Sequence, residues 1–127
     1  MKTQFNARNG LIIIKVRLFG PTGEGEANLA LDTGASATVI QNSILTGIGY
    51  DLSVLPKNVQ MTTGSGVEAT SRLAIDKISA LGMERSAFSV VAHTLPPSAS
   101  VAGVLGLDFF RGHVLTLDFQ KGEITLT

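Results

Sequence analysis

The stretch Ala30-Leu31-Asp32-Thr33-Gly34-Ala35-Ser36 decides how this chain is interpreted. It places a carboxylate directly after an apolar segment, and a hydroxyl and a glycine follow at once. Gly34 lets a second backbone approach closely and can offer its N–H to the carboxylate. Thr33 can brace the loop through its hydroxyl, and Ser36 is placed to hydrogen-bond the outer oxygen of Asp32. Taken alone, the tripeptide Asp-Thr-Gly leaves open a simple β-turn at the end of a strand.

Short strands separated by tight turns are predicted on both sides of this stretch. Residues 11–19 are rich in β-branched and apolar side chains, and the glycine-rich residues 20–25 are typical of a turn. Residues 59–73 predict an exposed hairpin with a mobile tip at Gly64-Ser65-Gly66. Further strands are expected at residues 38–40, 73–80, 86–92, 114–119 and 123–127. The chain is therefore predicted to be all-β, and the pattern favours a small closed barrel.

Two short helices interrupt this pattern. One is a turn of helix within residues 42–50, and the other begins near Asp108, which is suited to a helix N-cap. A chain of 127 residues has the length of one domain, so we expect one domain over residues 1–127. Residues 1–9 are expected to form a flexible extension at the N-terminus of this domain.

The composition argues against several classes of function. The chain has 10 basic and 10 acidic residues, and no run of Lys and Arg indicates a nucleic-acid surface. It contains no cysteine, which rules out a thiol nucleophile, a disulfide and a thiolate metal site. His93 and His113 stand in no metal-binding pattern, and no Gly-x-Ser-x-Gly sequence indicates a serine hydrolase. We therefore expect no metal, no organic cofactor and no nucleic-acid partner.

No segment of the sequence predicts a membrane span. The apolar run Leu11-Ile12-Ile13-Ile14 ends at Lys15 and is far too short to cross a bilayer. No signal-peptide cleavage site follows this run. We expect a soluble domain that is cytoplasmic or that has been cut from a longer protein.

A second motif lies well downstream of Asp32. Val104-Leu105-Gly106 joins two apolar residues to a glycine, and a segment suited to a short helix follows it. Together and in this order, residues 31–36 and this motif resemble the active-site signature of aspartic proteases of the retropepsin type. The resemblance extends from residue 10 onward. It is closer to stand-alone cellular and bacterial members of the family than to retroviral ones.

The resemblance implies that Asp32 is the catalytic residue. It implies that the catalytic loop is supported by Thr33, Gly34, Ser36, Val104, Leu105 and Gly106. Contacts with substrate, or a place in the flap that covers it, are implied for Ala35, Thr62, Thr63, Gly64, Ser65, Gly66 and Val67. The chain departs from retroviral members at Ser36, where they usually carry an acidic residue, and in extra residues around 42–58. Its flap residues differ from the large or apolar ones of the family, so substrate preference stays open.

The chemistry of such a site needs two carboxylates, whereas the chain contains Asp-Thr-Gly once. Two acidic groups about 3 Å apart share one proton, so one activates a water molecule and the other protonates the scissile carbonyl. Asp108 suits a helix cap better than a second catalytic acid. A two-fold axis beside the loop would bring Asp32 against its own copy. We therefore expect a homodimer, and the hairpin of residues 114–127 could add to its interface.

The predicted function is that of an aspartic endopeptidase, which binds an extended peptide or protein substrate between two subunits. The alternative is a catalytically idle copy of the fold that serves dimerisation or peptide binding. The substitution Asp32→Ala separates the two hypotheses, because turnover requires the carboxylate and ligand binding by an idle module does not. Activity is expected to peak below neutral pH, because the shared proton must be retained.

Overall fold

The fold is taken from a computed structural model, which describes residues 1–64 and 66–127. The strands are β1 (Lys2–Gln4), β2 (Ile13–Gly20), β3 (Gly23–Leu31), β4 (Val39–Gln41), β5 (Val59–Thr63), β6 (Gly66–Thr70), β7 (Arg72–Ala80), β8 (Met83–His93), β9 (Gly103–Leu105), β10 (Leu115–Asp118) and β11 (Glu123–Leu126). The helices are α1 (Asn42–Gly47) and α2 (Leu107–Phe110), with a 3₁₀ turn at Leu52–Val54. The prediction of a mostly β chain with short helices is confirmed.

Six strands close into a barrel in the order β2–β3–β9–β4–β8–β7. β2 pairs antiparallel with β3 and β7, and β7 pairs antiparallel with β8. Two pairs are parallel, namely β3 with β9 and β4 with β8. The short strand β9 lies between β3 and β4, because it pairs with both. The closed barrel predicted from the sequence is confirmed.

Alternating side chains explain why these segments form barrel strands. In β2, Ile14, Val16 and Leu18 are buried, whereas Lys15 and Arg17 between them are exposed. Successive side chains of a strand point to opposite faces of the sheet, so one row of apolar groups faces the interior. In β7 the alternation recurs on both sides of Asp76, with Leu73 and Ile75 buried before it and Ile78 and Ala80 buried after it. Burial of these rows is the main favourable term in forming the barrel.

The first residues of the chain belong to a second sheet. β1 pairs antiparallel with β11, and β11 pairs antiparallel with β10. The amide of Phe5 donates to the carbonyl of Gly122 at 2.9 Å, and its ring meets the Phe119 ring edge-on. Lys2–Gln4 thus form a strand of this sheet, and Phe5 is hydrogen-bonded next to it, whereas the sequence predicts a flexible extension over residues 1–9. The difference arises because their partner strand lies at the opposite end of the chain, where no local pattern reveals it.

Both short helices are present, but α2 begins differently from the prediction. α1 lies within the predicted residues 42–50 and buries Leu45. The N-cap residue of α2 is Gly106, so Asp108 lies inside the first turn. The prediction that Asp108 caps the helix is wrong, because its carboxylate accepts hydrogen bonds from Thr38 instead. Throughout residues 1–64 and 66–127, no helix has the length and apolar character needed to span a membrane.

The predicted central hairpin is formed by β5 and β6. Thr63 lies opposite Gly66 where the two strands meet the tip. The tip residue Ser65 lies outside the described residues. At the base of the hairpin, the Thr70 hydroxyl donates to the carbonyl of Ala92 in β8. The hairpin is therefore anchored to the barrel at its base.

Candidate active site

Asp32 lies at the point where β3 leaves the barrel. Its amide donates to the carbonyl of Leu105 at 3.0 Å, directly after the parallel pairing of Leu31 with Leu105. The amide of Ala35 donates to the Asp32 carbonyl at 3.2 Å, which closes a tight turn. We call residues 32–38 the Asp32 loop. This loop starts from a strand that is hydrogen-bonded, so the position of its first residue is fixed.

The turn directs an amide at the Asp32 carboxylate. The N–H of Gly34 donates to Oδ1 of Asp32 at 2.9 Å. A Cβ at position 34 would lie 3.2 Å from the same oxygen, so the absence of a side chain permits this approach. No other donor within the described residues is hydrogen-bonded to the Asp32 side chain, which is partly exposed. One oxygen of the carboxylate is thus held by the backbone, and the other has no hydrogen bond within the described residues.

The strand β9 passes directly behind the Asp32 loop. Val104 lies opposite Ala30 of β3 on one side and opposite Val39 of β4 on the other. Gly106 follows β9 directly, and a Cβ on this residue would lie 2.8 Å from the carbonyl oxygen of Ala35. Such a contact requires the backbone to move, so only glycine fits there without a shift. The structure thus brings the two sequence motifs into direct contact.

Thr38 and Asp108, which sequence reasoning did not assign to the site, meet at the end of the Asp32 loop. The Thr38 amide donates to Oδ2 of Asp108 at 2.9 Å, and the Thr38 hydroxyl donates to Oδ1 at 2.7 Å. The same hydroxyl accepts from the amide of Gly106 at 3.1 Å. Two signals were available in the sequence. The first is the hydroxyl of Thr38, which directly precedes the apolar pair Val39-Ile40. The second is the acid Asp108, which lies two residues after Gly106.

The other predicted residues of the loop are held less tightly. The side chains of Thr33 and Ser36 are exposed, and neither makes a hydrogen bond within residues 1–64 and 66–127. The hydrogen bond expected from Ser36 to Asp32 is therefore not formed within one chain. Ala35 contributes through its backbone, because its carbonyl accepts from the Leu107 amide at 2.8 Å.

The predicted flap residues lie together on the β5–β6 hairpin. Those within the described residues are Thr62, Thr63, Gly64, Gly66 and Val67. The Val67 side chain is 65% exposed, so it is an apolar group presented to solvent. At the middle of β6, the Glu68 carboxylate lies 3.7 Å from Nδ1 of His93 in β8. The hairpin thus has exposed residues at Gly66 and Val67 and contacts the barrel from Glu68 to Thr70.

Two other carboxylates, those of Asp51 and Asp118, accept hydrogen bonds from residues close to them in the sequence. The hydroxyl and then the amide of Ser53 donate to Asp51, and these hydrogen bonds lower the pKa of Asp51 below its ordinary value. Asp118 accepts from the amides of Gln120 and Lys121. In the part of the chain that the structure describes, no group of three or more His, Asp or Glu side chains is arranged to hold a metal ion.

Comparison with known proteins agrees with this geometry. The family model for aspartyl proteases matches residues 14–109, which include the Asp32 loop, the hairpin and β9. Among solved structures, a retropepsin-like aspartic protease from Rickettsia conorii shares the fold. Its identity to this chain is 16% and its TM-score is 0.73, over 99% of this chain and 88% of that one. A comparison with curated proteins gives no match. Since the family match covers most of the chain and both motifs, the chain belongs to the aspartyl protease family and has the retropepsin-like fold that its sequence predicts.

Proposed function

We propose that the protein is an aspartic endopeptidase whose active site is formed by Asp32 of two identical chains. The observation that carries this proposal is the state of Asp32, which is partly exposed and has one carboxylate oxygen held by the Gly34 amide. The carboxylate of Asp108 accepts hydrogen bonds from the amide and the hydroxyl of Thr38 and is therefore already occupied. The proposal therefore takes the second acid from a second chain, as the copy of Asp32.

Two copies of Asp32 would supply an acid and a base. At a short separation both carboxylates cannot ionise at low cost, so the pair keeps one proton and titrates as a unit. The ionised member takes a proton from a water molecule, whose oxygen attacks the carbonyl carbon of the peptide bond. The protonated member gives its proton to the carbonyl oxygen, and a tetrahedral diol forms. Cleavage of the C–N bond, with proton transfer to the nitrogen, releases an amine and a carboxylic acid.

The dimer of this proposal has the two-fold symmetry of an isologous interface. The same surface of both subunits meets at the axis, which lies beside the Asp32 loop of each chain. Dissociation would separate the two carboxylates and abolish the site. Specific activity should therefore fall on dilution below the dimer dissociation constant, in parallel with the fraction of dimer.

An extended peptide is the substrate class that this arrangement suits. Strand edges near the site would pair with the backbone of such a peptide, as in other cases of β-strand addition. The β5–β6 hairpin would cover the bound peptide as a flap. Gly66 has a φ of 121°, so this part of the hairpin depends on the conformational freedom of glycine.

The test is cleavage of casein, an unfolded protein substrate, by the wild type and by Asp32→Asn. Asparagine keeps the shape of the side chain but cannot share the proton. We expect cleavage by the wild type, no cleavage by the variant, and the same dimer content for both by sedimentation. Scanning pH at a fixed, high protein concentration should give a maximum below neutrality.

Two other outcomes would contradict the proposal. Equal cleavage by the wild type and Asp32→Asn would show that another group, or a contaminant, breaks the peptide bond. No cleavage by either protein at any pH would favour the alternative of a catalytically idle dimerisation or peptide-binding module. Retained peptide binding by Asp32→Ala would then support that alternative.

A further inference from the structure

We propose that Thr38 and Asp108 form a lock that positions the Asp32 loop for turnover. The inference rests on the proposed function, because it assigns these residues a part in the same reaction. Neither side chain is hydrogen-bonded to the Asp32 carboxylate, so both are positioning residues. We call the pair the Thr38–Asp108 lock.

The lock engages both carboxylate oxygens of Asp108 and the hydroxyl of Thr38. Each oxygen of Asp108 has its own donor from Thr38, at 2.9 Å from the amide and 2.7 Å from the hydroxyl. The Thr38 hydroxyl donates to Asp108 and at the same time accepts from the Gly106 amide at 3.1 Å. Hydrogen bonds to a carboxylate are among the stronger ones in proteins. The lock therefore ties the last residue of the loop to the start of α2.

Two backbone hydrogen bonds hold the same loop in addition to the lock. The Asp32 amide donates to Leu105 at 3.0 Å, and the Leu107 amide donates to the carbonyl of Ala35 at 2.8 Å. The beginning, middle and end of the loop are thus each bonded to residues 105–108. If the attachment at Thr38 is weakened, the loop can shift about the two attachments that remain. A displacement of this kind changes where the Asp32 carboxylate stands relative to its copy.

Burial makes the lock difficult to replace. Thr38 is 0% exposed, so water cannot take over its hydrogen bonds without opening the packing around it. Without the hydroxyl, the amide of Gly106 and one oxygen of Asp108 both lose their partner. Buried polar groups in that state favour rearrangement toward any available partner. The nearest backbone that can rearrange is the Asp32 loop itself.

The experiment compares three variants of the lock with a control. Thr38→Val keeps the shape and removes the hydroxyl, Thr38→Ser keeps the hydroxyl, and Asp108→Asn replaces one acceptor by a donor. The control is Ile78→Val, which trims a fully buried side chain of β7. kcat and KM are measured on a synthetic peptide that contains a bond cut in casein, at a protein concentration where each variant is dimeric. Amide hydrogen exchange is followed at Ala35 and Leu107.

We expect Thr38→Val to lower kcat by roughly ten- to a hundredfold while KM changes by less than about threefold. Thr38→Ser should restore most of kcat, and Asp108→Asn should lie between the two. Exchange at Ala35 and Leu107 should be faster in Thr38→Val than in the wild type. Ile78→Val should lower the melting temperature without changing kcat. This pattern separates positioning from a general loss of stability.

The proposal is overturned if Thr38→Val keeps the kcat of the wild type, or if Ile78→Val loses kcat equally at the same melting temperature. If Thr38→Val does not fold, kcat is compared for Thr38→Ser and Asp108→Asn instead. A kcat equal to that of the wild type in both variants refutes the lock. A wild type that does not cleave refutes the proposed function instead. The exchange rates at Ala35 and Leu107 then still decide whether the lock orders the loop.

Discussion

Arg85 lies across the C-terminal end of α2 and donates from Nε to the carbonyl oxygen of Phe109 at 2.7 Å. Nη2 donates to the carbonyl oxygen of Arg111 at 2.5 Å, and the guanidinium stands 5.9 Å from the centre of the Phe109 ring. The last carbonyl groups of a helix have no partner within the helix, so this side chain of β8 satisfies them. The short helix α2 is thus held near its start by Thr38 and at its end by Arg85.

Replacing Arg85 should therefore destabilise the fold. We expect Arg85→Ala to lower the free energy of unfolding by about 1–3 kcal/mol, because two carbonyl groups lose a charged donor. Arg85→Lys should recover only part of this loss, since an ammonium group lacks the fork of donors. Urea unfolding measures both effects. Arg8→Ala, at an exposed position, is the control and should change stability by less than about 0.5 kcal/mol. Equal losses for Arg85→Ala and Arg8→Ala would contradict the prediction.

Gly34→Ala should impair turnover more than folding. The added Cβ would stand 3.2 Å from Oδ1 of Asp32 and would displace the carboxylate from its backbone donor. We expect kcat to fall by about tenfold or more, because small displacements of a catalytic group are costly. The melting temperature should change little, since the position is exposed. Gly47→Ala is the matched control, because a Cβ there meets nothing within 4 Å. An unchanged kcat for Gly34→Ala would show that a Cβ at this position does not displace the Asp32 carboxylate, and it would contradict the prediction.

Gly106→Ala should impair folding itself. Its Cβ would lie 2.8 Å from backbone atoms of Ala35 and Ala37, which cannot move aside as a flexible side chain can. We expect a loss of about 1–3 kcal/mol or more in the free energy of unfolding, as for other overpacked sites. Denaturant unfolding checks this value against Gly10→Ala, where a Cβ has open space. A variant at position 106 that is as stable as the one at position 10 would argue against the close approach of the two motifs.

Tyr50 determines part of the stability at alkaline pH. Its hydroxyl donates to the carbonyl of Phe19 at 3.2 Å and accepts from the Asp76 amide at 2.8 Å. Burial is the largest of the causes that raise the pKa of Tyr50 above its ordinary value of 10.0. The folded state thus favours the neutral phenol more than the unfolded state does. This contribution to stability is fully present below pH 10.0 and is lost as the pH rises through the folded pKa.

Tyr50→Phe separates this effect from other alkaline titrations. We expect the free energy of unfolding of the wild type to fall more steeply above pH 10.0 than that of the variant. Tyr50 is the one tyrosine of the chain, so tyrosinate absorbance reports its ionisation directly. Equal slopes for the two proteins, or a folded pKa at or below 10.0, would contradict the prediction.

The barrel and the end of β3 could be predicted because they follow from local patterns. Alternation of buried and exposed side chains indicates strands such as β2, and glycine clusters indicate the turns between them. The contact between the Asp32 loop and Gly106 is not local, and it was expected from the resemblance to retropepsins. Its physical reason, the lack of room for a Cβ on Gly106, became apparent from the structure.

The contact within the Thr38–Asp108 lock could not be predicted from the sequence, which offers a signal for each residue separately but none for their pairing. Its two residues are 70 positions apart, and nothing near either one specifies the other. An aspartate at the start of a short helix has a strong preference for the N-cap, and that local preference suggested the wrong role for Asp108. The pairing of β1 with β11 escaped prediction for the same reason, since it joins residues from opposite ends of the chain.

The threading of β9 between β3 and β4 has a consequence for the growing polypeptide. Both neighbours of β9 precede it in the chain, so their pairing with it closes large loops and requires residues 103–105 to have been made. During synthesis, Asp32 leaves the ribosome well before Gly106, and the nascent chain carries the carboxylate without the strand that holds its loop. The proposed peptidase activity therefore arises only when nearly the whole barrel has been made, which protects unfinished chains from cutting one another.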